Sequence, residues 1–443
     1  MRNLNYTEAL QYIHGTKKFS TKPGLLRIEN LLNEMGNPHK SMKYVHVAGT
    51  NGKGSATSMM GSVLITAGYK TGLFISPYLE RFNERMQINN TPISDDDLVR
   101  FTQKTKNHIQ DMLDKGMLHP TEFELLTAMA FDYWAHNKCD FVSLEVGMGG
   151  RLDATNVIDP PEVAMIMSIS FDHTRYLGDS LSQIAWEKCG IVKPGSDVVC
   201  YIHQNNEALE KIRDICEERN ANFILPSEDE LRVIDTGLFG SRFSYNGIET
   251  TVPLMGIHQV YNAISVIEAG RALAARGYNV TDEIIAKGIA QTQWVGRLEQ
   301  VFESPYCVID AAHNEDSVRA LTTAVDKLFE NREIITVMGM LADKDYEYCI
   351  PEVARRSSKF VATTPDSPRA LDAKSAAEIA EKYCDDVVTE PSIEKAVDKA
   401  FEMAGENGMV LICGSLYLIG EAKTYIRGLK ETDQKASGKD CNR

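Results

Sequence analysis

Apolar and polar positions along the chain alternate in a way that predicts an α/β protein. Short runs of apolar, often β-branched residues, such as residues 44–48, 140–146 and 163–169, predict buried strands. Between them lie segments with apolar residues every three to four positions, which predict helices such as 24–35 and 121–136. From residue 298 onwards strands and helices alternate regularly to residue 429. Such alternation is typical of parallel, doubly wound sheets.

The length of 443 residues is too great for one ordinary core, so we predict two domains. The pattern changes after Arg297, which gives a first domain at 1–297, a second at 298–430 and a polar tail at 431–443. Residues 15–23 read as a polar connector, and residues 230–255 predict a small antiparallel excursion. We therefore expect an N-terminal doubly wound domain of the P-loop ATPase type and a C-terminal Rossmann-like parallel sheet domain.

The segment 43–55 predicts a phosphate-binding loop. A short apolar strand is followed at once by Gly49, Gly52 and Gly54 around Lys53, and Ser55 opens a helical run. In such a loop the backbone N–H groups and the helix N-terminus face an anion, the lysine reaches phosphate, and a hydroxyl meets Mg²⁺. The glycine spacing is shorter than the usual one, and a merely tight turn is the alternative interpretation.

Polar residues follow three other predicted strands. Ser76 follows strand 70–75, Glu145 lies near the end of 140–146, and His173 follows 163–169. A carboxylate near the end of an apolar strand is costly unless it is paired or bound to a cation. Each residue alone could belong to an ordinary surface or loop. Together, beside a phosphate loop, they predict a magnesium site at the edge where α/β sheets bind ligands.

Composition excludes several other classes of protein. The net charge is −15, from 47 basic and 62 acidic residues, and no basic patch is evident, so we expect no nucleic-acid partner. No apolar run approaches the length of a membrane span, and the N-terminus does not resemble a signal peptide. The nine cysteines are scattered without a CxxC pair, which favours buried thiols in a reducing cytoplasm. We expect a cytoplasmic monomer without a membrane partner.

Seven segments in order along the chain resemble the folylpolyglutamate synthase family of the Mur ligase superfamily. Bacterial members of that family often also have dihydrofolate synthase activity. The shorter glycine spacing is the Mur ligase form of the phosphate loop. The segments are GTNGKGS (49–55), SPYLERFNER (76–85), EVGMGGRLDATN (145–156), SFDH (170–173), EKCGIVKPG (187–195), GRLE (296–299) and DAAHN (310–314).

This resemblance implies an ATP-dependent ligase that adds L-glutamate to folate, to dihydropteroate or to both, through an acyl phosphate. It implies ATP and two Mg²⁺ ions as cofactors, with a carbamate on Lys188. The catalytic residues implied are Lys53, His173 and Lys188. Those for the nucleotide are Gly49, Thr50, Asn51, Gly52, Lys53, Gly54, Ser55, Asn262, Arg297 and Asp310. Those for magnesium are Ser55, Ser76, Glu145 and His173, and those for the substrates are Phe82, Arg85, Asp153, His313 and Ser415.

Other interpretations stay open from the sequence. A plain kinase or NTPase and a nucleotide-regulated binding protein would carry the same loop, and Lys188 taken alone would be a solvated lysine on a helix. A peptidoglycan-type ligase would carry an extra N-terminal domain, but only about 43 residues precede the phosphate-loop strand, fewer than a domain needs. The folate branch is therefore favoured over the cell-wall branch.

Overall fold

The computed structural model describes residues 4–16, 24–406 and 408–436, so most of the connector 15–23 lies outside the described residues. The chain forms two compact units. The first contains the described residues up to Ile234 together with Arg242–Val252 and Gln259–Gln293. The second contains Asp235–Ser241, Pro253–His258 and the described residues from Trp294 onwards. In the part of the chain described, no helix is long and apolar enough to cross a membrane.

The first unit is built on an eight-stranded sheet with the order β4-β3-β2-β5-β1-β6-β7-β8. Six neighbouring strands of this sheet pair in parallel, in the order β2, β5, β1, β6, β7 and β8. Strands β3 and β4 are antiparallel additions at one edge. The strands are β1 (Lys43–Ala48), β2 (Thr71–Phe74), β3 (Met86–Ile88), β4 (Thr91–Pro92), β5 (Phe141–Glu145), β6 (Val163–Ile166), β7 (Asp197–Cys200) and β8 (Asn222–Ile224).

The helices of this unit follow the predicted alternation. They are α1 (Tyr6–Gly15), α2 (Leu26–Glu34), α3 (Lys53–Thr66), α4 (Asp95–Asp114), α5 (Glu122–His136), α6 (Thr174–Leu177), α7 (Leu181–Lys188), α8 (Asn206–Glu218), most of α9 (Ile257–Ala275) and α10 (Asp282–Ala290). Local chemistry fixes where they begin. Ser94 accepts a hydrogen bond from the Asp97 N–H at the start of α4, and Thr121 and Glu124 form the predicted capping box of α5.

The small sheet is made of β9 (Leu231–Gly237), β10 (Gly240–Tyr245) and β11 (Ile248–Val252), in the order β11-β10-β9. Two residues join each strand to the next, and connections this short join antiparallel strands. The predicted antiparallel excursion is therefore confirmed.

The second unit is a six-stranded sheet with the order β12-β13-β17-β14-β15-β16. Its strands are β12 (Glu299–Phe302), β13 (Tyr306–Asp310), β14 (Ile334–Met338), β15 (Lys359–Ala362), β16 (Val387–Thr389) and β17 (Met409–Cys413). All pair in parallel except β12, which pairs antiparallel with β13. The helices are α11 (Glu315–Leu328), α12 (Tyr346–Ala354), α13 (Ala373–Ala380), α14 (Ile393–Ala404) and α15 (Leu416–Ala436).

This second sheet is the predicted Rossmann-like arrangement, with an antiparallel edge strand in addition. Every residue of its central strands β14 and β17 is buried, as expected for parallel strands covered on both faces. Helix α15 continues to Ala436, through the first six residues of the predicted polar tail, and residues 437–443 lie outside the described part.

Candidate functional site

The carboxyl ends of four parallel strands of the first unit meet at one edge of the sheet. Val47 of β1 lies opposite Glu145 of β5, Ala48 lies opposite Ile166 of β6, and Phe74 of β2 pairs with the residue before Glu145. The segments that follow these strands therefore emerge together. They carry the phosphate loop, Ser76, Glu145 and the SFDH segment. Open α/β sheets bind ligands at this kind of edge.

The phosphate loop is fixed to the segment that follows β6. The N–H groups of Thr50 and Asn51 donate to the Ser168 carbonyl at 2.7 and 3.3 Å, and the Thr50 hydroxyl donates to the Ser170 carbonyl at 3.0 Å. Lys53 begins α3 and its Nζ donates to the Thr50 carbonyl at 3.0 Å. The N-terminal turn of the 14-residue helix α3 thus opens at the loop, where helix N–H groups favour anions.

Two glycines of this loop occupy positions that exclude a side chain. Gly52 has φ +81°, and a Cβ there would lie 2.5 Å from the Asn262 Oδ1 atom of α9. A Cβ on Gly49 would lie 2.7 Å from the Cβ of Met167. Asn262 is itself held by Gln259, whose Oε1 accepts from its Nδ2 at 3.0 Å. The structure therefore brings Asn262, one of the nucleotide residues that the resemblance implies, against the loop.

Glu145, Ser76 and Arg85 form a second group at the same edge. The Ser76 N–H donates to Glu145 Oε2 at 3.0 Å, and the Arg85 Nη1 lies 3.4 Å from the Ser76 hydroxyl. The carboxylate of Glu145 is buried, with 5% of the residue exposed. The Arg85 guanidinium also lies over the ring of Tyr78 at 5.3 Å. The buried carboxylate is thus hydrogen-bonded to the Ser76 backbone, and the Ser76 hydroxyl has a cation beside it.

The oxygen donors at this edge suit magnesium better than a transition metal. In the described residues no group of three or more His, Cys, Asp or Glu is arranged to hold a metal ion. Magnesium, however, usually takes one or two carboxylates and completes its shell with waters and phosphate oxygens. Glu145 is a single buried carboxylate at this edge, which is the number of carboxylates that such a site needs. His173, at φ +51° before α6, lies beside Asp172, with its Nε2 3.9 Å from Oδ1.

Lys188 is a buried lysine at the end of α7, unlike the solvated lysine that its position alone would suggest. Only 4% of it is exposed, and its Nζ donates to the Gly49 carbonyl at 2.7 Å. Burial, followed by the nearby charge of Lys53, lowers the pKa of Lys188 to about 7, although Asp172 and Asp153 act in the opposite direction. A substantial share of this amine is therefore neutral and nucleophilic near neutral pH.

The loop after β5 packs closely against the end of α7. A Cβ on Gly150 would lie 2.5 Å from the Lys188 carbonyl oxygen, and one on Gly190 would lie 2.1 Å from the Cα of Arg151. The Asn156 Nδ2 donates to the carbonyls of both Arg151 and Gly190, at 3.2 and 3.1 Å. These contacts fix the backbone that carries Lys188.

Two predicted substrate residues of the first unit, Asp153 and Phe82, are buried in surroundings that differ from each other. Asp153 is buried, and its carboxylate accepts from the Met148 N–H at 2.9 Å and from the N–H and hydroxyl of Thr155 at 3.0 and 2.6 Å. Burial raises the pKa of Asp153, and these hydrogen bonds oppose the rise. Phe82 is also buried and belongs to the hydrophobic core, with its ring 5.8 Å from that of Tyr78.

In the second unit, the predicted residues gather at the carboxyl ends of β13 and β17, where Asp310 lies opposite Cys413. Asp310 is buried and accepts from the N–H groups of Leu298 and Ala312, both at 2.8 Å. Burial raises its pKa, and the neighbouring Arg297 is the largest influence in the opposite direction.

The other two predicted residues of the second unit follow the same strands. The ring Nδ1 of His313 lies 2.8 Å from the Ala311 carbonyl, just after β13. Ser415 follows β17 and is buried, and its Oγ accepts from the Tyr417 N–H at 3.2 Å. The predicted residues of this unit therefore share one edge of its sheet.

Three residues near these sites were not singled out from the sequence. Asp172 influences the pKa of Lys188, Gln259 holds the amide of Asn262, and burial with the neighbouring Arg297 lowers the pKa of His258 to about 4. Gln259 and Asn262 are three positions apart on one helix, and this spacing is a sequence signal for the contact between them.

Comparison with known protein families gives matches over most of the chain. Residues 47–270 match the Mur ligase middle domain, and residues 296–416 match the Mur ligase glutamate ligase domain. The chain is 37% identical to the dihydrofolate synthase/folylpolyglutamate synthase of Bacillus subtilis, covering 95% of this chain and 99% of that protein. It is 32% identical to the folylpolyglutamate synthase of Lacticaseibacillus casei, covering 96% and 100%.

Solved structures match the fold over a similar length. The folylpolyglutamate synthase of Mycobacterium tuberculosis complexed with ADP and AMPPCP has a TM-score of 0.86 and 30% identity, covering 95% of this chain and 99% of that one. Escherichia coli FolC in complex with DHPP and ADP has a TM-score of 0.83 and 27% identity, covering 96% and 100%.

Proposed function

Because this chain belongs to the folylpolyglutamate synthase family of Mur ligases, we propose that it is an ATP-dependent ligase that joins L-glutamate to folate, and also to dihydropteroate. The observation that carries the proposal is the phosphate loop held between Asn262 and the buried Lys188 at the ligand-binding edge of the sheet. Relatives named for both activities support the two acceptors together.

The reaction proceeds in two steps. A carboxylate oxygen of the acceptor attacks the γ-phosphorus of ATP, the bond to the β-phosphate oxygen breaks, and ADP leaves. The neutral amine of glutamate then attacks the carbonyl carbon of the acyl phosphate. Inorganic phosphate leaves with the former carboxylate oxygen, and the new amide nitrogen loses a proton. Such a reaction needs positioning and charge neutralisation more than a protein nucleophile.

The residues of the phosphate loop hold the nucleotide in this proposal. The N–H groups of residues 49–55 and the N-terminus of α3 cradle the phosphates, and Lys53 neutralises charge on the transferred group. Asn262 borders the loop through its contact with Gly52. Arg297 and Asp310, which lie together in the second unit, are the other nucleotide residues of the proposal.

Two magnesium ions belong to the proposal, and they would supply charge neutralisation on the phosphates. Ser55, Ser76, Glu145 and His173 would hold them. Glu145 is the carboxylate of this set, and its Oε2 is oriented by the Ser76 N–H. Arg85 lies beside Ser76, so a cation is already present next to one of these four residues.

Lys188 carries a carbamate in the active protein in this proposal. The Lys188 ammonium first loses one proton. The neutral amine then attacks the carbon of CO₂, and the nitrogen loses a second proton, so that a cation becomes an anion. Burial and the charge of Lys53 favour the neutral amine that this step requires. The resulting carboxylate would lie near Lys53 and would support magnesium or its bound phosphate.

The acceptor and the amino acid have separate candidate residues. Phe82, Arg85 and Asp153 belong to the folate side in the first unit, and His313 and Ser415 belong to the glutamate side in the second. Because Phe82 lies in the core and Asp153 uses its oxygens within its own loop, both act by shaping the acceptor site.

An assay of glutamate incorporation tests this function. Radiolabelled L-glutamate and ATP are supplied with a reduced folate in one series and dihydropteroate in the other. We expect ATP-dependent label in both products and phosphate release that requires glutamate. Phosphate release without glutamate would identify a plain NTPase, and nucleotide binding without turnover for either acceptor would identify a binding protein.

A further inference from the structure

A buried chain of hydrogen bonds connects the strand before the phosphate loop with the loop that carries Asp153. The His46 Nε2 on β1 lies 2.8 Å from the Thr155 hydroxyl oxygen, and that hydroxyl donates to Asp153 Oδ1 at 2.6 Å. The side chains of His46 and Thr155 are completely buried, and Asp153 is 7% exposed. We propose that His46 is a positioning residue that acts through Thr155 to hold Asp153 and so to fix the loop that shapes the acceptor site, an inference that rests on the proposed function.

The hydrogen positions in this chain follow from the chemistry of its members. The carboxylate oxygens of Asp153 accept from the N–H groups of Met148 and Thr155 as well as from the Thr155 hydroxyl. The Thr155 proton is therefore committed to Asp153, so its oxygen can only accept from the histidine. His46 must then be the neutral tautomer that carries its proton on Nε2.

The other ring nitrogen supports the same tautomer. The buried Nδ1 of His46 has no hydrogen-bond partner among the described residues. A proton on Nδ1 would place an unsatisfied donor in the core, which costs more than an unsatisfied acceptor lone pair balanced by a bond at Nε2. Burial lowers the pKa of His46 well below its usual value, and Lys193 adds to this effect.

His46 lies close to the phosphate loop in sequence and in the sheet. It is three residues before Gly49 on a strand paired on both sides, with Leu144 and Ala164. The strand that carries the His46 ring therefore also leads into the phosphate loop. Through Thr155, His46 fixes the Asp153 carboxylate relative to that loop. The same strand therefore positions both the acceptor side and the nucleotide side of the site.

The kinetic test compares KM for the acceptor with KM for ATP. The His46→Leu variant removes the Nε2 donor, and we expect a roughly tenfold rise in KM for reduced folate, the size typical of losing one hydrogen bond to a charged network. We expect KM for ATP to stay within about twofold of the wild type. His46→Gln should restore the acceptor KM because its amide nitrogen takes the place of Nε2, whereas His46→Asn, whose nitrogen corresponds to Nδ1, should not.

His39 supplies a matched control. It is another buried histidine whose Nδ1 has no partner in the described part of the chain, and its ring packs on Phe131 at 5.8 Å. His39 is not a member of the hydrogen-bonded chain of His46, Thr155 and Asp153. We therefore expect His39→Leu to change stability without the selective rise in acceptor KM. Equal effects of His39→Leu and His46→Leu on both KM values would overturn the inference.

A double-mutant cycle tests whether His46 acts through Thr155. Once Thr155→Val has removed the hydroxyl, His46→Leu should have little further effect on kcat/KM for the acceptor, so the two changes should be strongly non-additive. Fully additive effects would contradict the proposed chain. Ligation by the wild type in the same assay distinguishes failure of this inference from failure of the proposed function. An inactive wild type would refute the proposed function. An active wild type with unchanged variants would refute only this inference.

The tautomer gives a readout that does not depend on activity. ¹⁵N NMR of histidine-labelled protein, with the His46 signal assigned by its loss in His46→Gln, should report a proton on Nε2 and none on Nδ1. A proton on Nδ1, or a charged ring at pH 7, would contradict the hydrogen-bond chain whatever the enzyme assays give.

Discussion

The Nζ atom of Lys188 lies 2.7 Å from the carbonyl oxygen of Gly49. This contact joins the end of α7 to the first residue of the phosphate loop, although 139 positions separate them in sequence. A buried lysine whose pKa is lowered to about 7 is therefore adjacent to the place where the proposed function puts the phosphates. The contact gives the carbamate proposal its geometric basis.

Replacement of Lys188 by arginine tests the carbamate. Lys188→Arg keeps a positive charge but cannot form a carbamate, so we expect activity to fall by about a hundredfold or more. Lys188→Ala should lose activity similarly and recover part of it with a short carboxylic acid. ¹³C NMR of wild-type protein in labelled bicarbonate should give a carbamate signal that both variants lack. Full activity in Lys188→Arg would show that the residue is structural.

Replacement of Lys53 tests the phosphate loop. Lys53→Ala removes the charge that the proposed function places at the phosphates, and we expect ligation to fall by roughly two to three orders of magnitude while the fold is retained. Lys43→Ala is the matched control, because Lys43 begins β1, the strand before the loop, and makes an exposed ion pair with Glu162 at 2.9 Å. Such pairs contribute about 0–1 kcal/mol, so this variant should keep its activity. Steady-state kinetics of both variants measure the ligation activity, and circular dichroism shows whether each variant keeps its fold.

The two ends of α3 provide a test of the loop backbone. Gly52 and Gly68 both have positive φ, but a Cβ would meet Asn262 at 2.5 Å only at Gly52, since nothing lies within 4 Å at Gly68. Gly68→Ala should cost about 1 kcal/mol of stability from backbone strain and leave ADP affinity unchanged. Gly52→Ala should also weaken ADP binding measurably by calorimetry. Equal ADP affinity in the two variants would refute the close packing of Asn262 on the loop.

Much of this architecture could be predicted from the sequence, because local patterns encode it. The strand before Gly49, the Ser94 cap and the Thr121 capping box depend on neighbouring residues, and the structure has each of them. The antiparallel additions β3, β4 and β12 were not individually predicted. They have two to four residues each, too few for a periodicity to appear.

The environment of individual site residues could not be predicted in the same way. The burial of Lys188 depends on the loop containing Gly150 and Arg151, which lies more than 35 positions earlier. Likewise, the sequence gives no sign that His46 reaches Thr155, because that contact spans 109 positions. Motif spacing identifies which residues are candidates, whereas tertiary packing decides which of them are buried, charged or hydrogen-bonded.

His39 predicts a pH dependence of stability. Burial, with the charge of Lys40, lowers its pKa to about 4, below the value of about 6.5 expected in the unfolded chain. The folded state therefore binds fewer protons than the unfolded state between these values, and stability is lost as pH falls from about 6.5 towards 4. Between pH 6.5 and pH 4.5 the loss should be about 1–2 kcal/mol for this group, because this range covers only part of the titration and nearby solvent screens part of the effect.

Urea unfolding at pH 6.5 and pH 4.5 measures this effect. We expect His39→Gln to lose less stability than the wild type between the two pH values, because it has no ring to protonate. His108→Gln, at a half-buried position of α4, is the matched histidine replacement, and the difference between the two variants isolates the contribution of His39. Identical losses in wild type and His39→Gln would rule out a contribution from His39.

The most direct test of the acyl-phosphate ligase is oxygen transfer from the acceptor to phosphate. The carboxylate of a reduced folate is labelled with ¹⁸O and incubated with ATP, L-glutamate and the protein, and the released phosphate is analysed by mass spectrometry. We predict one ¹⁸O atom in the phosphate for each amide formed, because the carboxylate oxygen becomes the bridging oxygen of the intermediate. Phosphate that carries no ¹⁸O, or that is released equally without glutamate, would contradict the proposed reaction.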